Sequence, residues 1–174
     1  MSDQSGIYSE DPFVAPIEER DPARRLRGRL VLPVAILTAG DEDQRTGLTV
    51  SSVMVAEGAP PLLYALLGPT TDLWYVIQET RRFVAHLATV DDREAADVFA
   101  GLRPAPGGPF LERAVEQTGY GPVLTDLLTR AHCTYQAGVE ESYSVLVSAT
   151  IDHVEPGPLD DPLVYFRGRY RRLA

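Results

Sequence analysis

The sequence predicts a mainly β protein in which an antiparallel, Greek-key-like β-barrel carries peripheral α-helices. Strand-like segments outnumber helix-like ones along the 174 residues, and short turns join successive strand pairs. In residues 142–152 (SYSVLVSATID) apolar and polar residues alternate, which is typical of a strand with one face in a core. These observations favour an antiparallel barrel over a doubly wound parallel sheet.

The first predicted elements are a short helix and a hairpin. Residues 1–20 show no apolar period and are expected to form a flexible arm, and Asp21-Pro22 is typical of a helix start. Strands are predicted at 30–38 and 48–57. The turn-rich sequence between them (GDEDQRTG) predicts a hairpin with a charged tip.

The middle of the chain is predicted to alternate between strands and helices. A strand at 62–67 is expected to run directly into a helix, because N-capping residues follow it and apolar residues then recur at helical spacing. A strand at 83–88 precedes a helix at 92–100 that begins with a capping-box pattern. Proline near the first turn and glycine beyond the last predict a third short helix between Pro109 and Gly119.

The last third of the chain is β-rich. Strands are predicted at 133–139, 143–154 and 163–166, separated by glycine, proline and acidic turns. The total is six or seven strands. The length and the 44% apolar content indicate one domain, at 21–174.

The charge composition excludes several kinds of function. The net charge is −9, and all 16 basic residues are arginine. A chain with no lysine has no Schiff-base lysine and no P-loop lysine, and an acidic chain is poorly suited to nucleic acid or anionic lipid. We therefore expect neither a nucleic-acid partner nor a membrane partner.

Cysteine, histidine and hydropathy patterns point to a metal-free cytoplasmic protein. Cys133 is the single cysteine, and with His86, His132 and His153 it forms no metal-ligand spacing. No segment reaches about 18 consecutive apolar residues, and the amino terminus is too acidic for a secretory signal.

The densest polar feature inside a predicted strand is Thr49-Val50-Ser51-Ser52, with three hydroxyls in four residues. Buried hydroxyls must find partners. They either bond the neighbouring backbone or face a ligand, and the tetrapeptide alone favours the backbone.

A second candidate site is the turn Gly68-Pro69-Thr70-Thr71, which follows the strand ending at Leu67. A helix start offers unpaired N–H groups and a positive dipole end, so this turn can hold one phosphate without lysine. The alternative is that Thr70 or Thr71 only caps the helix.

Three further features have both a structural and a functional interpretation. Arg81-Arg82-Phe83 could supply guanidinium groups to a phosphate or could end a helix as solvated charges, and Trp74 could cover a flat ligand or pack in the core. A basic cluster near the end of the chain has three possible roles: it closes a ligand site, forms an interface or is a solvated tail. Its members are Arg167, Arg169, Arg171 and Arg172. No catalytic triad or paired-carboxylate site is evident.

Taken together, several segments resemble the flavin reductase family, which has the FMN-binding split β-barrel fold. The resemblance covers roughly residues 24–172. It rests on Arg29 with PVAILT at 33–38, GLTVSS at 47–52, APPLL at 59–63, RFVAHL at 82–87, VFAG at 98–101 and PLVYFRGRY at 162–170.

This resemblance implies a homodimer of split barrels with one flavin per subunit near the interface. It also implies hydride transfer from NAD(P)H to N5 of FMN, with FAD as the alternative, and delivery of reduced flavin to an acceptor or a partner monooxygenase. The flavin-binding positions that it implies are Thr49, Val50, Ser51, Ser52, Leu67, Gly68, Thr70, Thr71, Trp74, Arg82, Phe83 and Tyr170.

The sequence departs from the family pattern at one place. Many members carry Gly-Asp-His before the penultimate strand, associated with pyridine nucleotide binding, whereas this chain has Glu140-Glu141-Ser142-Tyr143. Tyr143 can stack a nicotinamide in place of the histidine. Two alternatives follow: a non-catalytic flavin carrier, or a split-barrel oxidoreductase with another reductant or cofactor, such as a deazaflavin or haem.

Overall fold

A computed structural model describes residues 21–158 and 161–173, so the arm predicted at residues 1–20 lies outside the described residues. Twelve strands are present in the described part, more than the six or seven predicted, because two predicted strands are each divided and the hairpin at 115–124 and the short β12 were not predicted. Every paired strand is antiparallel, as predicted. The strands are β1 (Leu32–Pro33), β2 (Ala35–Ala39), β3 (Thr46–Val50), β4 (Val53–Ala56), β5 (Leu62–Leu67), β6 (Arg82–Leu87), β7 (Val115–Thr118), β8 (Gly121–Leu124), β9 (Thr129–Glu141), β10 (Ser144–Glu155), β11 (Val164–Phe166) and β12 (Arg169–Arg171). The helices are α1 (Pro22–Arg27), α2 (Asp72–Thr80) and α3 (Arg93–Phe99).

Seven strands form one curled sheet in the order β3-β2-β6-β9-β10-β5-β4. Its two edge strands, β3 and β4, are consecutive in sequence and are joined by Ser51-Ser52. Val50 at the end of β3 and Val53 at the start of β4 lie in the same core cluster. The sheet therefore curves into a barrel that is open between β3 and β4, which confirms the predicted fold class.

The single strand predicted at 48–57 is two strands, because the chain bends at Ser51-Ser52 to pass from one sheet edge to the other. The strand predicted at 30–38 is also divided. Pro33 ends β1, and the Val34 N–H donates to the Leu163 carbonyl outside the barrel sheet before β2 begins. The predicted strand at 62–67 has the bounds of β5.

Helix α2 packs on the barrel core through Leu73 and Ile77, which are 1% and 0% exposed. Their spacing of four residues places both side chains on one helix face. Arg81 ends the helix in the left-handed conformation, with φ 64°. The chain then enters β6 directly, so α2 and β6 are held in a fixed relation.

The third helix predicted between Pro109 and Gly119 is wrong. Residues 109–112 form only turns, and Val115 already begins the hairpin of β7 and β8. Gly107 and Gly108, with φ of 85° and 98°, form the turn before this segment. The helix-like apolar spacing has another origin. Phe110 packs edge-to-face on Phe99, with ring centroids 5.1 Å apart, and this contact holds the loop before β7 against α3.

The hairpin of β7 and β8 is fastened to the barrel by His86, which is 0% exposed. Its Nδ1 bonds the Ile36 carbonyl oxygen at 3.0 Å, and its Nε2 accepts from the Leu124 N–H at 3.0 Å. This pairing requires a neutral ring with the proton on Nδ1. Accordingly, burial lowers the pKa of His86 to about 4, although the bond to Ile36 opposes the shift.

A small sheet of β1, β11 and β12 closes the far side of α3. Leu163, Ala96 and Val34 form its core, with Tyr165 and Tyr170 packed against them. None of the described helices is long and apolar enough to cross a membrane.

Candidate functional site

Three turns meet at one end of the barrel. The bend between β3 and β4 lies beside β5, because Val53 pairs with Ala65. The turn between β9 and β10 lies beside the end of β5, because Val145 pairs with Leu67. The turn from β5 to α2 begins at the next residue, Gly68. The strand register therefore brings most of the predicted site residues to one end of the barrel.

The hydroxyls of Thr49 and Ser52 are already engaged. Thr49 Oγ1 donates to the Ala96 carbonyl oxygen on α3 at 2.7 Å. Ser52 Oγ donates to the Leu66 carbonyl oxygen at 2.9 Å and accepts from the Leu66 N–H at 3.1 Å. These backbone bonds are those that the structural alternative predicts, and flavin contacts by Thr49 and Ser52 stay a prediction.

Ser51 differs from its neighbours in this bend. Its side chain is partly exposed and makes no hydrogen bond with any residue in the described ranges. Val50, next to it, is 6% exposed and packs in the barrel core. Within the described residues, Ser51 is thus the one hydroxyl of the tetrapeptide whose proton is not already donated to the backbone.

The two threonines after Gly68 also divide into a structural and an available residue. Thr71 caps α2: its Oγ1 accepts from the Trp74 N–H at 3.4 Å and donates to the Gly68 carbonyl oxygen at 2.9 Å. Thr70 is exposed, and its hydroxyl has no partner in the described part of the chain. Leu67 is 1% exposed, so its side chain belongs to the core.

Backbone N–H groups complete this turn. Those of Thr70, Asp72 and Leu73 have no acceptor among residues 21–158 and 161–173, as the start of a helix requires. They lie at the positive end of the α2 dipole. An anionic group placed here would receive several donors without any guanidinium.

The site end is otherwise acidic. The turns and flanking residues at 47–54, 64–74 and 138–146 contain no arginine, whereas they contain Asp72, Glu140 and Glu141. A bound phosphate would therefore be held by hydrogen bonds and the helix dipole, with carboxylates opposing it.

Trp74 lies between α2 and the end of β9. Its ring packs edge-to-face on Tyr135, with centroids 5.8 Å apart, and a Cβ at position 138 would lie 2.4 Å from Trp74 Cη2. Gly138 thus makes room for the indole. Sequence reasoning missed this contact, although an isolated glycine within a strand signals a close approach.

The β9–β10 turn presents Tyr143 to solvent. The residue before it, Ser142, has φ 58°, and the Tyr143 side chain is 93% exposed. An aromatic ring so exposed beside the Gly68 turn is free to stack on a flat ligand.

Three predicted site residues lie away from these turns within this chain. Arg82 follows the far end of α2, roughly 13 Å along the helix axis from Thr71, and its guanidinium packs 5.1 Å from the Tyr120 ring centroid and donates to the Gly119 carbonyl oxygen. The Phe83 side chain is 0% exposed in the barrel core. Tyr170 lies beyond α3, against Tyr165.

The donor set fits a phosphorylated, flat, hydrogen-bonding ligand. The Ser51 and Thr70 hydroxyls and three N–H groups can all donate, and Trp74 and Tyr143 supply aromatic surface. No histidine lies among these turns in the described residues, and the carboxylates of Glu140 and Glu141 are both exposed to solvent at the end of β9. The arrangement suits binding and orientation rather than proton transfer by side chains.

The chain matches a family model described as "Flavin reductase like domain" over residues 27–174. The reductase component of 4-nitrophenol 4-monooxygenase/4-nitrocatechol 2-monooxygenase from Rhodococcus opacus is 26% identical over 92% of this chain and 86% of its own length. The NADH-dependent FMN reductase AsuE2 from Streptomyces nodosus subsp. asukaensis is 27% identical over 88% of this chain and 85% of its own length.

Solved structures share the fold. A flavin reductase domain protein from Arthrobacter sp. FB24 superposes with a TM-score of 0.79, covering 87% of this chain and 94% of that chain at 24% identity.

Proposed function

The chain belongs to the flavin reductase-like family and is an oxidoreductase of that class, and from this premise we propose that it reduces FMN with NAD(P)H. The observation that carries this proposal is the pair of hydroxyls, Ser51 and Thr70, that have no partner in the described part of the chain and lie on two adjacent turns. Thr70 and the N–H groups at the start of α2 would hold the FMN phosphate. Ser51 would hold the ribityl chain or the ring edge.

The residues of the site contribute binding and orientation. FMN supplies the chemistry when bound, since its N5 accepts a hydride from C4 of the nicotinamide. Trp74 and Tyr143 would hold flat rings and exclude water, and the Ser51 hydroxyl would donate to a flavin oxygen or nitrogen. The chain needs no general acid or base for this step, in keeping with the site's composition.

We also propose a homodimer, in which the apolar outer face of β4, β5, β10 and β9 is the interface. Met54, Leu66 and Val139 on this face are 63%, 44% and 52% exposed. These three residues are neighbours on the sheet. Met54 pairs with Tyr64, which is two residues from Leu66 on β5, and Leu146 on β10 lies between Leu66 and Val139 because it pairs with both. Contiguous exposed apolar residues mark interaction surfaces.

The acceptor that we propose for reduced flavin is a partner monooxygenase. A relative of this chain, the Rhodococcus opacus protein, is named as the reductase component of such a system. We place the reaction in the cytoplasm, where NAD(P)H is supplied.

A second candidate function is flavin binding without catalysis. It is favoured by the β9–β10 turn, which carries Glu140, Glu141 and Tyr143 where many flavin reductases carry a histidine. A carrier would bind FMN with the same affinity in the presence and absence of NAD(P)H, and NAD(P)H would not bleach it.

Titration of the full chain with FMN, FAD and riboflavin tests the choice of flavin. Trp74 is the sole tryptophan, so its fluorescence reports on a ligand beside it. We expect quenching by all three flavins, with FMN bound at least about tenfold more tightly than riboflavin, because riboflavin lacks the phosphate. Equal affinities for FMN and riboflavin would contradict the phosphate site.

A further inference from the structure

A cavity lies on the opposite side of α3 from the Ser51 bend. The helix separates the two, because Thr49 donates to Ala96 on one side and Ala96 packs with Leu163 and Tyr170 on the other. The cavity has a volume of about 410 Å³ and is lined by Val90, Arg93, Leu163, Tyr170, Arg171 and Arg172.

All the charged residues that line this cavity are arginines. Arg172 pairs with the exposed carboxylate of Asp161 at 2.5 Å. Within the described residues Arg93 and Arg171 form no ion pair, and the Arg93 guanidinium lies 5.9 Å from the Tyr170 ring centroid. On a chain of net charge −9, these guanidiniums make a local anion-binding surface.

The remaining lining groups are a phenol and apolar side chains. Burial, with the nearby Asp97 and Tyr165, raises the pKa of Tyr170 to about 12, so its hydroxyl stays protonated and can donate at neutral pH. That hydroxyl bonds no residue in the described part of the chain. Val90 and Leu163 form an apolar wall beside it.

We propose that this cavity binds an adenosine phosphate group, with the arginines on the phosphate and the apolar wall against the nucleoside. Guanidinium groups match phosphate oxygens with paired hydrogen bonds, and the volume falls in the range of small-ligand sites. FMN has no such group. This proposal depends on the proposed function in one respect: the two candidate ligands are the adenosine ends of FAD and of NAD(P)H.

AMP is the probe that tests the cavity without involving flavin chemistry. Titration of the full chain with AMP, followed by calorimetry, should show saturable binding, and adenosine should not bind detectably. Arg171→Gln and Arg93→Gln should each weaken AMP binding about tenfold, the loss of a charge-assisted hydrogen bond. Arg24→Gln on α1 is the matched control, because it removes the same charge and should change the affinity less than about twofold.

Competition distinguishes the two sources. Displacement of FAD by AMP would assign the cavity to FAD, and a rise in KM for NADH or NADPH in the presence of AMP would assign it to the pyridine nucleotide. The assignment would be overturned if AMP competed with neither FAD nor NAD(P)H, or if AMP showed no saturable binding. It would also be overturned if Arg171→Gln and Arg93→Gln left the AMP affinity unchanged, or if Arg24→Gln lowered it as much as they do. Arg24→Gln should reduce FMN at the rate of the unmodified protein. AMP binding is measured without flavin, so a failure of the unmodified protein to reduce FMN would count only against the proposed function.

Discussion

Ser52 holds the bend between the two edge strands of the barrel through two hydrogen bonds to the backbone of Leu66, at 2.9 Å and 3.1 Å. The neighbouring Ser51 hydroxyl makes none within the described residues. The structure thus divides two adjacent serines into one that maintains the bend and one that faces outward. Thr71 and Thr70 are divided in the same way on the adjacent turn.

The two serines should respond oppositely to alanine substitution. Ser52→Ala removes two hydrogen bonds and leaves the Leu66 backbone unpaired at the bend, so the free energy of unfolding should fall by about 1–2 kcal/mol. Ser51→Ala should leave that free energy within about 0.5 kcal/mol and weaken FMN about fivefold. Urea unfolding and Trp74 fluorescence titration measure the two quantities. A reversed pattern would place the ligand-facing hydroxyl on Ser52.

The two threonines separate helix capping from phosphate binding. Thr71→Ala should destabilise the protein by about 1 kcal/mol through loss of the α2 N-cap. Thr70→Ala should leave stability unchanged and weaken FMN about tenfold, with no effect on riboflavin. Riboflavin is the control because it shares the ring and ribityl chain but not the phosphate. Equal losses for FMN and riboflavin in Thr70→Ala would show that Thr70 does not contact the phosphate.

Substitution of Tyr143 tests the nicotinamide position. Tyr143→Ala should raise KM for NADH several-fold, consistent with the loss of one aromatic contact, and leave FMN affinity within about twofold. Thermal stability should not change, because the side chain is 93% exposed. Tyr143→Phe, which keeps the ring, should restore KM. An unchanged KM in Tyr143→Ala would remove Tyr143 from the site.

His86 should make the fold acid-sensitive. Its pKa is about 4 in the folded protein and about 6.5 when unfolded, so the unfolded state binds the proton first as pH falls. The contribution of His86 is complete above pH 6.5 and is lost as pH falls to about 4, a decrease of about 3 kcal/mol. Urea unfolding at several pH values measures it.

A variant separates this effect from other titrations. His86→Leu should be less stable at neutral pH, because it leaves the Ile36 carbonyl and the Leu124 N–H unpaired, but should lose the decrease between pH 6.5 and 4. The bonds from Arg130 and His132 lower the pKa of Glu155 from 4.5 to about 2, so its contribution is lost between these values, below most of the His86 range. The same decrease in His86→Leu would contradict the assignment.

The sequence predicted the sheet better than it predicted which side chains are free. The prolines at 60–61 and the Gly68-Pro69 turn bounded an apolar run and located β5 to the residue, since local patterns determine where a strand begins and ends. Whether the hydroxyl of Ser51 or Ser52 is available depends on the distant Leu66, which no local pattern shows. The resemblance implies Arg82 as a flavin-binding residue, and within this chain α2 separates it from Thr71.

The missing third helix has a similar cause. The apolar residues after Pro109 have helical spacing, yet Phe110 packs on Phe99 of α3 and Val115 pairs with Leu124 in a hairpin. The spacing of apolar residues indicates which side chains are buried, but it does not determine the backbone conformation that buries them. Tertiary contacts decide between the two interpretations.

Anaerobic reduction of FMN by NAD(P)H in the presence of catalytic amounts of the full chain tests the central claim most directly. The account predicts that the long-wavelength absorption band of FMN disappears far faster with the protein than without it, with NADH or NADPH as reductant. The rate at limiting FMN should fall in Ser51→Ala. A protein that binds FMN but leaves this rate at the uncatalysed value with both nucleotides would contradict reductase activity and identify a flavin carrier.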